Sequence, residues 1–124
     1  MVAYVTLATD RLEAKEAAEV AASAAIVPES LSAAGIEAAA AGAGLVTRRV
    51  EPIGSEWRER MIEDGDLDTA TGLLSIARID RRRSELVERF GAEAVDIARN
   101  GFVWGVYQML GKLCPTVYVW ERSA

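Results

Sequence analysis

The chain opens with a run of apolar and β-branched residues, 2–9, in which apolar and polar positions do not alternate. This pattern predicts a strand that is covered on both faces, as in parallel sheets flanked by helices. Strands of that kind have hydrogen-bonded neighbours and seldom open a domain. We therefore expect the chain to be part of a larger α/β unit, or to take a neighbouring strand from another chain.

The next elements are predicted to be two helices and a second strand. Strong helix formers with early acidic residues fill positions 12–22, and Pro28 ends this helix. A second helix is expected from about residue 30 to a pair of glycines near residue 43, because glycine adopts the left-handed conformation that ends helices. Positions 45–53 predict a strand, and Pro52 with the neighbouring arginines favours a sheet edge for it.

Positions 55–113 predict an insertion of three helices before a last strand. Ser55 begins a short helix that Gly65 breaks, and a longer helix is interrupted near Gly91. A third helix carries apolar residues at helical spacing from there onward. The last strand is expected over residues 115–122, so the predicted order is β-α-α-β, three helices, β.

Composition narrows the possible functions. The 124 residues carry a net charge of −5, whereas a nucleic-acid surface needs concentrated positive charge. The absence of histidine excludes histidine-based acid–base chemistry and histidine metal ligands, and the single cysteine, Cys114, excludes an internal disulfide. No apolar run approaches the roughly 20 residues of a membrane-spanning helix. We expect one cytoplasmic domain, residues 1–124, that binds neither nucleic acid nor membrane.

One acidic motif resembles a calcium-binding loop in part. Asp64, Asp66 and Asp68 alternate as calcium ligands do, but Thr69 and Ser75 stand where such a loop needs glycine and a bidentate glutamate. A turn followed by a helix N-cap is the usual role of such a cluster. No metal site is therefore predicted.

Aromatic and basic residues in the helical region favour a binding cleft. Trp104, Tyr107 and Lys112 fall near one another along a predicted helix and its end, and nearby glycines loosen that helix. Trp57 with Arg58 is suited to stacking or to anion recognition. In the alternative interpretation, these tryptophans pack the helical layer onto the sheet. The residues alone leave both interpretations open.

Several segments resemble the C-terminal half of class I S-adenosylmethionine-dependent methyltransferases. They are residues 54–59 (GSEWRE), 73–78 (LLSIAR), 102–113 (FVWGVYQMLGKL) and 117–119 (VYV). The resemblance implies an α/β fold with part of a Rossmann-like methyltransferase sheet and a helical insertion over about 55–113. The three predicted strands would be the fifth, sixth and seventh of that sheet, with the last one antiparallel and central.

The resemblance also implies where the cofactor binds. Family members hold S-adenosylmethionine with a glycine-rich loop after the first strand and an acidic residue after the second. We expect both features upstream of Met1, in a missing N-terminal half. The complete enzyme would use S-adenosylmethionine, and no cofactor binding is expected for this chain alone.

The helical insertion is where such enzymes often shape the pocket for the methyl acceptor. The resemblance thus implies six substrate-binding residues, which are Trp57, Arg58, Arg78, Trp104, Tyr107 and Lys112. It assigns no catalytic residue. Relatives carry a histidine and an arginine where this chain has Gly105 and Gln108, so any role of those polar groups is not carried over.

Three functional hypotheses follow. The first is the acceptor-side portion of a methyltransferase that acts on a small molecule with an N-terminal half. The second is a non-catalytic interaction module that dimerises, or pairs with a partner, through an open strand edge. The third is a binder of an apolar metabolite near Trp57 and Trp104.

Overall fold

The computed structural model describes residues 1–24 and 26–123. Within these residues the chain forms three strands and six α-helices. The strands are β1 (Val2–Ala8), β2 (Leu45–Pro52) and β3 (Leu113–Arg122). The helices are α1 (Ala14–Ala24), α2 (Ala33–Gly42), α3 (Glu56–Glu63), α4 (Asp68–Arg81), α5 (Arg83–Phe90) and α6 (Ala92–Met109), with a short 3-10 helix at Pro28–Leu31.

The three strands form one sheet in the order β1-β3-β2. Strand β3 is antiparallel to both neighbours, so β1 and β2 run parallel to each other. Val117 in β3 lies opposite Tyr4 on one side and Glu51 on the other. The predictions that the last strand is central and antiparallel, and that β2 lies at an edge, are confirmed.

Among the described residues, strand β1 is the other edge of this sheet and has a paired strand on one side only. The side chains of Val2 and Tyr4 are 69% and 58% exposed, while Ala3, Val5 and Leu7 are partly buried and pack against the core. The prediction that β1 is covered on both faces is therefore wrong within the described chain. The reason is that Ala3, Val5 and Leu7 face the core, whereas on the opposite face α6 reaches Thr6 through Gln108 and leaves Val2 and Tyr4 to solvent.

The core on one face of the sheet is built around two aromatic rings of β3. Tyr118 and Trp120 stack with their centroids 5.1 Å apart, and Ala40 of α2 packs against them. The Trp120 indole Nε1 donates a hydrogen bond of 2.9 Å to Thr47 Oγ1 in β2. The buried indole therefore keeps its polar group satisfied, which removes the main penalty of placing it in a core.

The helical insertion contains four helices in the described chain rather than three. The predicted break at Gly91 is present, since this residue adopts φ +86° between α5 and α6. A second break occurs at Arg82, where α4 ends and α5 begins. Both pieces pack against α6, and an Arg83–Asp96 ion pair of 2.7 Å joins α5 to it. No helix of the described residues has the length and apolar character needed to cross a membrane.

Candidate functional site

The side chain of Gln108 joins three elements on the inner side of the helical layer. The Arg58 guanidinium donates from Nε to Gln108 Oε1 at 3.0 Å, and its Nη2 donates to the same oxygen. Gln108 Nε2 donates in turn to Thr6 Oγ1 of β1 at 3.5 Å. Because Gln108 is only 3% exposed, this chain of contacts holds Arg58 of α3 in a defined position.

Arg58 also stacks on its neighbour Trp57, with the guanidinium carbon 4.5 Å from the ring centroid. Burial lowers the pKa of the Arg58 guanidinium from its ordinary value, and the nearby Tyr4 opposes that shift. An arginine nevertheless stays protonated in proteins. The site therefore contains a partly buried, positioned cation beside an aromatic ring.

Gly105 and Gln108 of α6 both lie against Arg58. A Cβ atom at Gly105 would lie 3.5 Å from Arg58 Nη1, so a side chain longer than alanine would enter the space that the guanidinium occupies. Gln108 supplies the acceptor oxygen described above. Both residues thus contribute to the placement of one arginine.

A cavity of about 300 Å³ lies between α3, α4 and α6. Arg58 and Trp104 line it together with three glycines, Gly72, Gly101 and Gly105. Because glycine has no side chain, no side chain covers the backbone at these three positions. Its volume lies at the lower end of the range, about 300–1,000 Å³, that is typical of small-molecule pockets.

Trp57 does not line this cavity. Its indole Nε1 is buried and has no hydrogen-bond partner among the described residues. Such a group is uncommon in folded proteins and marks a place where a polar contact is missing. The Trp57 ring lies against the Arg58 guanidinium and supports it, and it is not part of the cavity wall.

Tyr107 and Lys112 belong to a second cluster that does not line the cavity. Lys112 Nζ forms an ion pair with Glu16 of α1 and lies 5.4 Å from the centroid of the Tyr107 ring. The hydrogen bond from Lys112 lowers the pKa of Glu16, the same contact raises the pKa of Lys112, and burial raises that of Tyr107. The cluster fastens α1 to the turn between α6 and β3, where Thr9 N also donates to Lys112 O at 3.0 Å.

Arg78 lies apart from both clusters. Its side chain is exposed on α4 and does not line the cavity, and none of the described residues forms an ion pair with it. The structure therefore brings Arg58 and Trp104 together at one cavity and places Trp57 against Arg58. Tyr107 and Lys112 form a cluster of their own, and Arg78 lies apart from both groups. Gln108 and Glu16 were not predicted as contacts, because their partners lie 50 and 96 positions away in the sequence.

The described residues include no group of three or more acidic, cysteine or histidine side chains that could hold a metal ion. Asp64 and Asp66 are exposed on the connection between α3 and α4. The side chains of Asp68 and Thr69, which the calcium-loop comparison used, lie outside the described part of the chain.

Comparison with known proteins adds no further assignment. No protein-family model matches this sequence, and a search of the curated proteins finds no match.

Proposed function

We propose that this chain is the C-terminal, acceptor-side portion of a methyltransferase that uses S-adenosylmethionine and acts on a small-molecule acceptor. The observation that carries the proposal is the strand order β1-β3-β2, with β3 antiparallel between two strands that are parallel to each other. This arrangement is the one that the class I methyltransferase resemblance implies for the last three strands. Because one fold can serve many functions, the argument also needs a site.

The position of the cavity supports the same proposal. Helix α3 begins four residues after β2 ends, so Trp57 and Arg58 lie just beyond the carboxyl end of that strand. In open α/β sheets, ligands bind outside the carboxyl ends of the strands. The cavity lined by Arg58 and Trp104 is therefore the acceptor pocket that we propose, and the positioned guanidinium would orient a polar acceptor in it.

The described residues do not include the glycine-rich loop with which the family holds S-adenosylmethionine. A family-type cofactor loop needs glycines between the end of a strand and the start of a helix. Residues 9–13, which connect β1 to α1, contain no glycine, and Gly42 and Gly44 precede a strand instead of following one. We accordingly assign cofactor binding to a separate N-terminal half and derive no chemical step from this chain alone.

Titration calorimetry and the surrounding coding sequence test the proposal. The 124-residue chain is expected to give no saturable heat with S-adenosylmethionine, and the coding sequence upstream of Met1 is expected to encode a glycine-rich loop in frame. Tight one-to-one binding by the chain alone would contradict the division into two halves. An upstream sequence without such a loop would contradict the assignment to this class of enzyme.

The exposed edge of β1 favours a second candidate function, a non-catalytic interaction module. Its seven residues, Val2–Ala8, are uncharged and have a paired strand on one side only. Apolar strand edges of this kind are templates for pairing with another chain. Sedimentation of the chain at micromolar concentration separates the candidates, because a stable monomer contradicts this second function and leaves the first intact.

A further inference from the structure

The two edges of the sheet differ in how well they are protected against pairing. Strand β2 carries Arg48, Arg49, Glu51 and Pro52, and its register with β3 is interrupted between Thr47 and Arg49. Charges, proline and bulges are the devices by which natural proteins prevent edge-to-edge association. Strand β1 contains no charged residue and no proline, and its register with β3 is unbroken from the first residue to the last.

The hydrogen bonds at the two ends of β1 show which residues face its free edge. Met1 O accepts from Trp120 N at 2.8 Å, and Thr9 N donates to Lys112 O at 3.0 Å. Hydrogen-bonded and non-hydrogen-bonded pairs alternate along an antiparallel ladder. The odd-numbered residues of β1 therefore bond to β3. The N–H and C=O groups of the even-numbered residues, Val2, Tyr4, Thr6 and Ala8, point to the free edge.

We infer that, in the chain by itself, β1 pairs with β1 of a second copy in a two-fold antiparallel register centred on Val5. In this register Val2 faces Ala8 of the second copy and Tyr4 faces Thr6, so all the outward-facing residues exchange hydrogen bonds, about eight in total. A shift of the centre by one residue in either direction leaves Val2 or Ala8 unmatched. The observed ladder thus selects one register among the symmetric ones.

Charge and symmetry favour a second copy as the occupant. The chain carries a net charge of −5, so most contacts between two copies would bring like charges together. A contact through β1 avoids this repulsion, because the strand contains no charged side chain. An isologous contact also covers both open edges at once. The assembled sheet would have the order β2-β3-β1-β1-β3-β2, in which both remaining edges are the protected strand β2.

This inference does not rest on methyl transfer. It concerns the 124-residue chain alone, whereas the proposed function concerns its combination with a cofactor-binding half. Failure of the dimer would leave the calorimetric prediction untouched, and binding of S-adenosylmethionine by the chain alone would leave the dimer untouched.

Sedimentation equilibrium of the wild-type chain and two lysine variants is the first test. Tyr4→Lys puts a charge on the exposed face of β1, where the two introduced lysines flank the two-fold axis. Val50→Lys places the same charge at an exposed position of β2. We expect a wild-type dimer at micromolar concentration. Tyr4→Lys should raise the dissociation constant of the dimer at least tenfold, and Val50→Lys should leave it unchanged. A monomeric wild type, or equal effects of the two variants, overturns the inference.

Cross-linking tests the register even if Tyr4→Lys fails to fold. In a background of Cys114→Ser, Val5→Cys places the two thiols opposite each other at a non-hydrogen-bonded pair, with Cα atoms about 4.5 Å apart and within disulfide range. Ala3→Cys serves as the control, because Leu7 of the second copy faces it. We expect a disulfide-linked dimer from Val5→Cys and little from Ala3→Cys. The reverse result, or no cross-link from Val5→Cys, overturns the register.

Discussion

The amide of Gln108 is the acceptor that holds Arg58, and its removal isolates that interaction. In Gln108→Leu, two donors of a partly buried guanidinium lose their shared oxygen. The loss of hydrogen bonds to a charged group costs about 1.5–3 kcal/mol of folding stability. Gln108→Glu keeps the acceptor oxygen and is expected to lose less folding stability than Gln108→Leu. Urea unfolding measures both variants, and equal stability of Gln108→Leu and the wild type would show that Arg58 does not depend on this contact.

The pair of Glu16 and Lys112 makes stability depend on pH in the acid range. Its hydrogen bond from Lys112 holds the pKa of folded Glu16 below its ordinary value, which is about 4.3 in unfolded chains. The contribution of Glu16 is therefore present above the unfolded pKa and is lost as the pH falls through the folded pKa.

We expect Glu16→Gln to be less stable than the wild type near neutral pH. The difference in the free energy of unfolding between the wild type and Glu16→Gln should shrink below about pH 4. It should disappear once Glu16 of the wild type is protonated. Urea midpoints measured between neutral and strongly acid pH give this comparison, with Glu63→Gln at the exposed end of α3 as the control for charge removal. A difference that is the same at every pH contradicts the assigned role of Lys112.

Among the helices, the connection between α5 and α6 depends on the backbone of Gly91. Its φ of +86° and ψ of 153° lie in a region that is open essentially to glycine alone. Gly91→Ala should therefore lower the free energy of unfolding by about 1–3 kcal/mol, although nothing lies within 4 Å of the added Cβ atom. Gly101 lies inside α6 and is equally uncrowded. Gly101→Ala should raise the free energy of unfolding by about 0.5–1 kcal/mol. Thermal melting compares the two variants, and a shift of the same sign in both contradicts the backbone argument.

The elements that could be predicted are those whose signal is local. Apolar runs, caps and breakers located all three strands, and Gly91 marked the end of α5. The break at Arg82 has no such signal, because neither glycine nor proline occurs there and the division arises where α4 and α5 each pack on α6. The exposure of Tyr4 could not be predicted from the sequence either, since it depends on which part of the sheet the helices cover.

The candidate site was predictable only in part, for a related reason. Aromatic and basic residue types singled out Arg58 and Trp104, which do line one cavity. Lys112 was grouped with them because it lies close to Trp104 in the sequence, but its ion-pair partner is Glu16 on a different helix. Spacing along one helix specifies a face, whereas the partner of a charged side chain is specified by packing between elements.

For the molecule as a whole, both proposals depend on the free edge of strand β1. A cofactor-binding half would complete the sheet at β1, and a second copy would complete it at the same edge. The two occupants are therefore alternatives that compete for the outward N–H and C=O groups of Val2, Tyr4, Thr6 and Ala8. The β1-paired dimer must therefore dissociate before the chain can combine with a cofactor-binding half.

Dimerisation through β1 also predicts that thermal stability depends on concentration. When a folded dimer unfolds to two monomers, each tenfold rise in chain concentration stabilises the folded state by about 1.4 kcal/mol per mole of dimer. The melting temperature of the wild type should rise accordingly, and that of Val50→Lys should rise in parallel. The dependence should be weaker for Tyr4→Lys, because more of its folded form is monomeric at each concentration. Calorimetric scans over a hundredfold concentration range decide this, and a wild-type melting temperature that stays constant would contradict pairing at β1.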